Sequence, residues 1–201
     1  ILYVAIDKKY VGYVLIADKI KQDSSKTIRE LKAMNIKETV MLTGDKKEVG
    51  EYVAKKLNMD KVYTELLPDG KVEKVEELLK QKSEKGKLVF VGDGINDAPV
   101  LTISDIGVAM GGLGSDAAIE AADIVIMTDE TSKISKAINL SKKTMRIVRE
   151  NIIFAIFVKI AVLVLTAFGA STMWEAVFAD VGVSVIAIIN ALRMLNIKKF
   201  E

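Results

Sequence analysis

Short apolar runs alternate with amphipathic stretches over the first two-thirds of this chain, and two long apolar runs close it. Leu2-Tyr3-Val4-Ala5-Ile6 and Tyr10-Val11-Gly12-Tyr13-Val14-Leu15-Ile16-Ala17 read as two strands about a turn at Asp7-Lys8-Lys9. A hairpin so short cannot bury its own faces. Ser24 or Ser25 can cap a helix that ends near Asn35 and carries Ile28, Leu31 and Ala33 on one face. Thr39-Val40-Met41-Leu42 then forms a buried strand running into Thr43-Gly44-Asp45. Val49, Tyr52, Val53 and Leu57 predict a second helix from about Lys46 to Leu57. After a short strand at Val62 to Leu66, Pro68 suits a first helical turn, and Lys71 to Lys82 carries Val72, Val75, Leu78 and Leu79 at helical spacing.

Three more strands are expected at Leu88 to Val91, Ile106 to Met110 and Ile124 to Met127, with a helix from a Ser115 cap through Ala121 between the last two. Strands alternating with helices of this length predict an α/β fold, a doubly wound parallel sheet with helices on both faces. Lys133 to Glu150 is a polar helix with Lys136, Lys142, Lys143, Arg146 and Arg149, and no breaker separates it from the apolar run Ile152 to Phe168. Gly169-Ala170-Ser171-Thr172-Met173-Trp174 makes a short turn, and Glu175 to Leu195 is again apolar. Each run approaches the roughly 20 residues that cross a ~30 Å hydrocarbon core, so the chain should end in a two-helix transmembrane hairpin. Basic residues stand before the first run and after the second (Arg193, Lys198, Lys199) and none lies in the turn, where Trp174 suits an interface; both ends of the hairpin are therefore expected in the cytoplasm.

Composition sharpens this picture. Half of the 201 residues are apolar, which excludes a disordered class. A net charge of +2 from nearly balanced acids and bases gives no electrostatic case for nucleic acid. With no cysteine and no histidine, a metal bound by these residues must use oxygen donors or methionine sulfur. The chain opens on Ile1 without a secretory leader and reads as a piece of something longer.

Candidate chemistry gathers just past the carboxyl ends of the strands, where open α/β sheets hold ligands. Gly92-Asp93-Gly94-Ile95-Asn96-Asp97-Ala98-Pro99 follows one strand; its glycines permit a tight turn, and Asp93 and Asp97 can converge hard oxygens suited to Mg²⁺. Thr43, Gly44 and Asp45 follow another strand, and Lys71 opens a helix. A hydroxyl or amide donor, a fixed cation and a metal-holding carboxylate are what phosphoryl transfer requires, because that chemistry is mostly positioning and charge neutralisation.

Thr43-Gly44-Asp45, Pro68 with Lys71, and Gly92 to Pro99 resemble the phosphorylation domain of the P-type ATPases, members of the haloacid-dehalogenase-like superfamily. Met110-Gly111-Gly112-Leu113-Gly114-Ser115-Asp116-Ala117-Ala118-Ile119-Glu120 and the terminal hairpin resemble the heavy-metal (type IB) subgroup that exports Zn²⁺, Cd²⁺ and Pb²⁺. The resemblance covers essentially this whole chain but only the carboxyl-terminal third or so of a family member. It implies Mg²⁺ on Asp93, phosphoryl contacts from Thr43, Gly44 and Lys71, support of the same pocket by Asn96 and Asp97, and ATP as the substrate of the parent pump. The family's nucleophile is the aspartate of Asp-Lys-Thr-Gly-Thr, and no such motif occurs here; Asp7-Lys8-Lys9 and Asp18-Lys19-Ile20 lack the Thr-Gly. This chain alone is therefore expected to form no aspartyl phosphate, and its partners would be the lipid bilayer and the remaining pump segments: actuator, nucleophile and nucleotide domains and other transmembrane helices. The implied divisions are 1–12 as the end of the nucleotide domain and hinge, 13–135 as the phosphorylation domain, and 136–201 as a basic juxtamembrane helix and hairpin. A membrane-tethered phosphatase of the same superfamily and a non-catalytic regulatory fragment are the alternatives.

Within the hairpin, Lys159 and Asp180 are charges in apolar helices, costing about 2.5 to 3.5 kcal/mol each unless they pair or face a polar cavity. Lys159 lies 13 positions before Thr172 and Asp180 lies 8 after it, which puts their backbones within roughly 8 Å of one depth. Mutual neutralisation is one reading. By resemblance to the zinc and cadmium pumps the other is that Asp180 ligates the exported cation and Lys159 is its counter-charge. A carboxylate and an ammonium argue against soft Cu⁺, and Met173 and Met194 sit near helix ends, where methionine packs.

Overall fold

A computed structural model describes residues 2–14, 19–92, 95–111, 116–170 and 172–195. They form two compact units, Ile1–Ser132 and Lys133–Glu201. The first opens with β1 (Leu2–Ile6) and β2 (Lys9–Val14), an antiparallel hairpin turned by Asp7 and Lys8, whose φ angles of 49° and 65° match a two-residue turn. The expected extension of β2 through Ala17 falls outside the described residues.

Two parallel ladders follow. β3 (Val40–Leu42) pairs with β4 (Lys61–Tyr63), and β5 (Val89–Gly92), β6 (Ile106–Met110) and β7 (Ile124–Ile126) pair in that order. Among the described residues β3 and β5 each keep one edge without a strand partner. The connections are helical: α1 (Ser24–Ala33) precedes β3, α2 (Lys47–Leu57) joins β3 to β4, α3 (Pro68–Gln81) joins β4 to β5, α4 (Ala98–Ile103) joins β5 to β6, and α5 (Asp116–Ala121) joins β6 to β7. Asn58 ends α2 in the left-handed conformation that asparagine tolerates. The core centres on Leu101, Ala109 and Ala118, with Phe90, Ala121, Ala122 and Val125 packed around it. β6 is its axis, because Gly107 to Met110 are all buried and small side chains let α4 and α5 close on it.

Two local departures matter. β4 stops at Tyr63 instead of reaching Leu66, because Glu65 turns left-handed (φ 56°) and the chain folds back onto the end of β3. Ile95–Asp97 and α4 are helical where the sequence pattern suggests only a turn. Pro99 explains this, since proline is accepted at the start of a helix.

The second unit is a helical hairpin. α6 (Ser132–Ala167) runs 36 residues without a break, so the polar and first apolar stretches are one helix. The return comprises α7 (Met173–Val177), a π turn at Phe178–Gly182, α8 (Val183–Ala191) and a 3-10 turn at Leu192–Met194. Both helical spans, Ser132–Ala167 and Met173–Met194, are long and apolar enough to cross a membrane. Asn151 donates its side-chain amide to the Ala187 carbonyl at 3.0 Å, Asn190 donates to Asn151 at 2.8 Å, and Arg193 reaches Glu150 at 3.4 Å, which fixes the antiparallel register.

The start of the β3–β4 ladder is stitched by Asp60. Its carboxylate accepts from Lys32 at 2.6 Å, from the Thr39 hydroxyl at 2.6 Å and from the Thr39 amide at 2.8 Å, and these bonds hold its pKa down at about 2 against the ordinary 3.8. The stabilisation is therefore complete above about pH 4 and is lost as pH falls toward 2. Asp60→Asn is expected to weaken the ladder at pH 7 by about 1 kcal/mol, a figure discounted for the exposure of the carboxylate. The difference from the parent chain should disappear by about pH 2; native-state hydrogen exchange of the Thr39 and Lys61 amides measures both.

Candidate functional site

The site is built at the carboxyl ends of β3 and β5. Past β3, the Thr43 amide donates to the Tyr63 carbonyl at 3.0 Å, continuing the ladder by one bond. The Thr43 hydroxyl donates to Asp45 at 2.8 Å and accepts from the Asp45 amide at 3.1 Å, a closed local turn. The returning segment after β4 clamps this turn: Leu66 N–H donates to the Thr43 carbonyl at 3.1 Å and Glu65 N–H to the Asp45 carbonyl at 2.9 Å. Gly44 lies under the same segment, the Leu66 carbonyl oxygen standing 3.2 Å from where a Cβ would be.

That segment leads directly into α3. Leu67 is its cap, Pro68 opens it, and the Lys71 amide bonds the Leu67 carbonyl at 3.0 Å, so Lys71 belongs to the first turn. Its ammonium donates to Asp97 Oδ1 at 2.7 Å, with the two side chains only 19% and 12% exposed. Asp97 is buried at the end of the 3-10 turn that follows β5. Gly92 makes room for it, because a Cβ there would stand 2.8 Å from Asp97 Oδ2 and 2.9 Å from Asp97 Cβ. Asn96, beside Asp97, is exposed. Nearby, Lys74 lies 4.7 Å from the centre of the Tyr63 ring and pairs with Glu77, which raises its pKa.

The structure thus brings Thr43 to Asp45 and Lys71 to Asp97. No hydrogen bond or ion pair joins the two pairs among the described residues; the Thr64 to Leu67 backbone links them. Asp93, the residue read as the Mg²⁺ ligand, lies outside the described residues. At these strand ends the described residues offer the Thr43 hydroxyl and the Asp45 and Asp97 carboxylate oxygens, hard donors of the kind Mg²⁺ takes, while the Lys71 ammonium has no lone pair for a metal and suits an anion instead. Asp97 enters already neutralised by Lys71. No three carboxylates group as a metal site among the described residues. In the hairpin, Lys159 Nζ stands 3.1 Å from Asp180 Oδ1. Met173 is exposed at the start of α7, and Met194 closes the 3-10 turn. Sequence reasoning did not single out Gly92 as the residue that admits Asp97, although a glycine ending a strand just before a polar cluster is a readable signal. It also missed the π turn around Asp180.

Parallel α/β ladders with a lysine, carboxylates and a Thr-Gly-Asp turn at their carboxyl ends, together with two helices long and apolar enough to cross a membrane, define an α/β protein with polar side chains gathered at its strand ends and a membrane-length helical hairpin. Residues 2–102 match the haloacid dehalogenase-like hydrolase family. The chain belongs to that family, and over nearly its whole length it is similar to heavy-metal-transporting ATPases. It is 57% identical over 198 residues to a cadmium, zinc and cobalt-transporting ATPase of Bacillus subtilis, spanning 98% of this chain and 28% of that protein. It is 53% identical over 194 residues to a zinc-transporting ATPase of Synechocystis, 96% of this chain and 27% of that protein. Its structure superposes on the crystal structure of a zinc-transporting PIB-type ATPase in the E2.Pi state with a TM-score of 0.83 at 35% identity, covering 96% of this chain and 31% of that one. The chain therefore spans between a quarter and a third of the length of the relatives it matches.

Lys71→Met would leave the Asp97 carboxylate buried without its counter-charge, and is expected to destabilise the first unit by about 3 kcal/mol. Lys71→Met with Asp97→Asn should recover most of that loss. Pulse proteolysis of the chain in urea reads both variants; equal stability of Lys71→Met and the parent would show that the pair holds nothing in place.

Proposed function

We propose that this chain supplies the phosphate pocket and the last two transmembrane helices of an ATP-driven exporter of divalent heavy-metal cations, with Zn²⁺, Cd²⁺ and Pb²⁺ as the candidate cargo. The observation that carries the proposal is the Lys159–Asp180 pair, 3.1 Å apart in an apolar hairpin, in the same chain as the Lys71–Asp97 pair at a strand end. A carboxylate at membrane depth is functional by default, and its lysine partner keeps it neutral when no cation is bound. Asp180 is the ligand of the exported cation in this reading. Lys159 competes for the same carboxylate and favours release.

In the pocket, Lys71 neutralises charge on the phosphoryl oxygens, and Thr43 and Gly44 donate hydrogen bonds to them; Asn96 and Asp97 support the pocket, with Asp97 holding Lys71 in place. Before phosphate binds, Asp45 fixes the Thr43 rotamer through the bond described above, and the hydroxyl turns that one proton from Asp45 to a phosphoryl oxygen when it donates there. Mg²⁺ on Asp93 would supply further charge neutralisation at the same oxygens. The nucleophilic aspartate comes from another segment of the pump, on a strand for which the open edges of β3 and β5 are ready partners. Residues 1–12 are then the end of the nucleotide domain, 13–135 the phosphorylation domain and 136–201 the basic helix and hairpin. Basic residues at both ends of the hairpin and none in its turn favour a cytoplasmic location for both ends.

In the full-length pump carrying this chain, Asp180→Ala is expected to reduce zinc-stimulated ATP hydrolysis to the metal-independent background while the first unit keeps its proteolytic resistance. An unchanged zinc response removes Asp180 from the transport site. Asp93→Asn should raise the Mg²⁺ concentration needed for phosphorylation by about tenfold or more; an unchanged requirement removes Asp93 from the Mg²⁺ site.

A further inference from the structure

The return helix of the hairpin is not a uniform α-helix where it carries its one acid below the cap. Phe178–Gly182 is a π turn: the Val183 amide bonds the Phe178 carbonyl, five residues back. Single π turns in otherwise α-helical segments are rare and cluster at functional positions. Asp180 sits at the centre of this one.

The turn has an identifiable support. A Cβ placed on Gly182 would fall 2.5 Å from Cδ2, 2.8 Å from Cε2 and 3.2 Å from Cγ of Phe178. The ring therefore occupies the space a side chain at 182 would need. Phe178 and Gly182 are four apart and share a face, whereas Asp180, two positions from each, projects from the opposite side. That side carries the 3.1 Å contact to Lys159. The Ser184 hydroxyl donates to the Asp180 carbonyl at 2.8 Å, a further bond at the main chain of the turn. Below the turn, α8 is pinned to α6 through Asn151, Ala187 and Asn190. A turn that contains one extra residue rotates the helix on its amino-terminal side against the helix on its carboxyl-terminal side by up to roughly 100°. With α8 pinned, the direction of Asp180 depends on whether the turn stays wide.

We propose that Gly182 and Phe178 are positioning residues for the transported cation: the ring seated over the glycine backbone keeps the π turn open, and the open turn aims the Asp180 carboxylate at the cation and Lys159. This rests on the reading of Asp180 as the cation ligand, and it adds two residues that touch neither the cation nor the phosphate.

The test is a double-mutant cycle in the full-length pump, reading the KM for zinc in stimulated ATP hydrolysis. Gly182→Ala is expected to raise it about tenfold or more and Phe178→Ala about threefold, with kcat changing less than KM. Because both act on one turn, the double variant should be no worse than Phe178→Ala alone. An unchanged KM in Gly182→Ala, or single effects that multiply in the double variant, overturns the proposal. Should Gly182→Ala fail to accumulate, Phe178→Ala and the double variant decide it: equal and raised KM values support the proposal, and wild-type values in either overturn it. Asp180→Asn runs alongside. If it keeps the zinc response, the cation-site reading itself fails; if it loses the response while Gly182→Ala does not, only the positioning role fails.

Discussion

Asp97 is held at the end of β5 by one ammonium, and much of the first unit is arranged so that this can happen. Lys71 reaches it only because α3 begins where it does, and α3 begins there because the segment after β4 turns back at Glu65 and bonds to the Thr43 turn. Gly92 removes the side chain that would displace the carboxylate, and the 3-10 turn at Ile95–Asp97 delivers it. Two buried charges so paired contribute little net stability compared with an apolar pair of the same shape, but either one alone is costly. In the proposed function the pair fixes an ammonium at the mouth of the sheet, ready to exchange part of its interaction for a phosphoryl oxygen.

The hairpin repeats the same chemistry in a different medium. Lys159 and Asp180 are again an ammonium and a carboxylate about 3 Å apart, but here the surroundings are apolar helix surfaces, and the pair is what makes either charge tolerable at that depth. In the proposed pump the two sites would divide the work: the Lys71 ammonium suits phosphate and hard carboxylate oxygens suit magnesium, while a single carboxylate opposed by a lysine suits reversible capture of a divalent cation. With no cysteine or histidine in the sequence, thiolate or imidazole ligands for such a cation would have to come from other segments.

Most of the parallel architecture was legible because strand and helix periods differ. Val40 to Leu42, Val89 to Gly92 and Ile106 to Met110 are short apolar runs that stop at glycine or polar clusters, and the helices between them show an apolar face. Thr43 and Asp97, past the strand ends, and Lys71, at the start of a helix, could be singled out for the same reason. What could not be read was contact at a distance. Lys71 and Asp97 are 26 positions apart, and nothing local says that they bond to each other instead of both facing a ligand. The early end of β4 depends on Glu65 adopting a left-handed backbone, which its neighbours in sequence do not demand. α4 was hidden by Pro99, which reads as a breaker and acts here as a starter. The π turn was hidden because Phe178 and Gly182, four apart, fit an ordinary helix equally well.

The central claim is that this chain holds a phosphoryl pocket that becomes catalytic when a nucleophile strand from elsewhere in the pump joins it. It is tested most directly by trapping the acyl phosphate from radiolabelled Mg²⁺–ATP and zinc, with an amino-terminal pump segment bearing Asp-Lys-Thr-Gly-Thr co-expressed with or without this chain. The account predicts label on that aspartate only when both pieces are present. Label on the amino-terminal segment alone, or none when both are folded together, would contradict it.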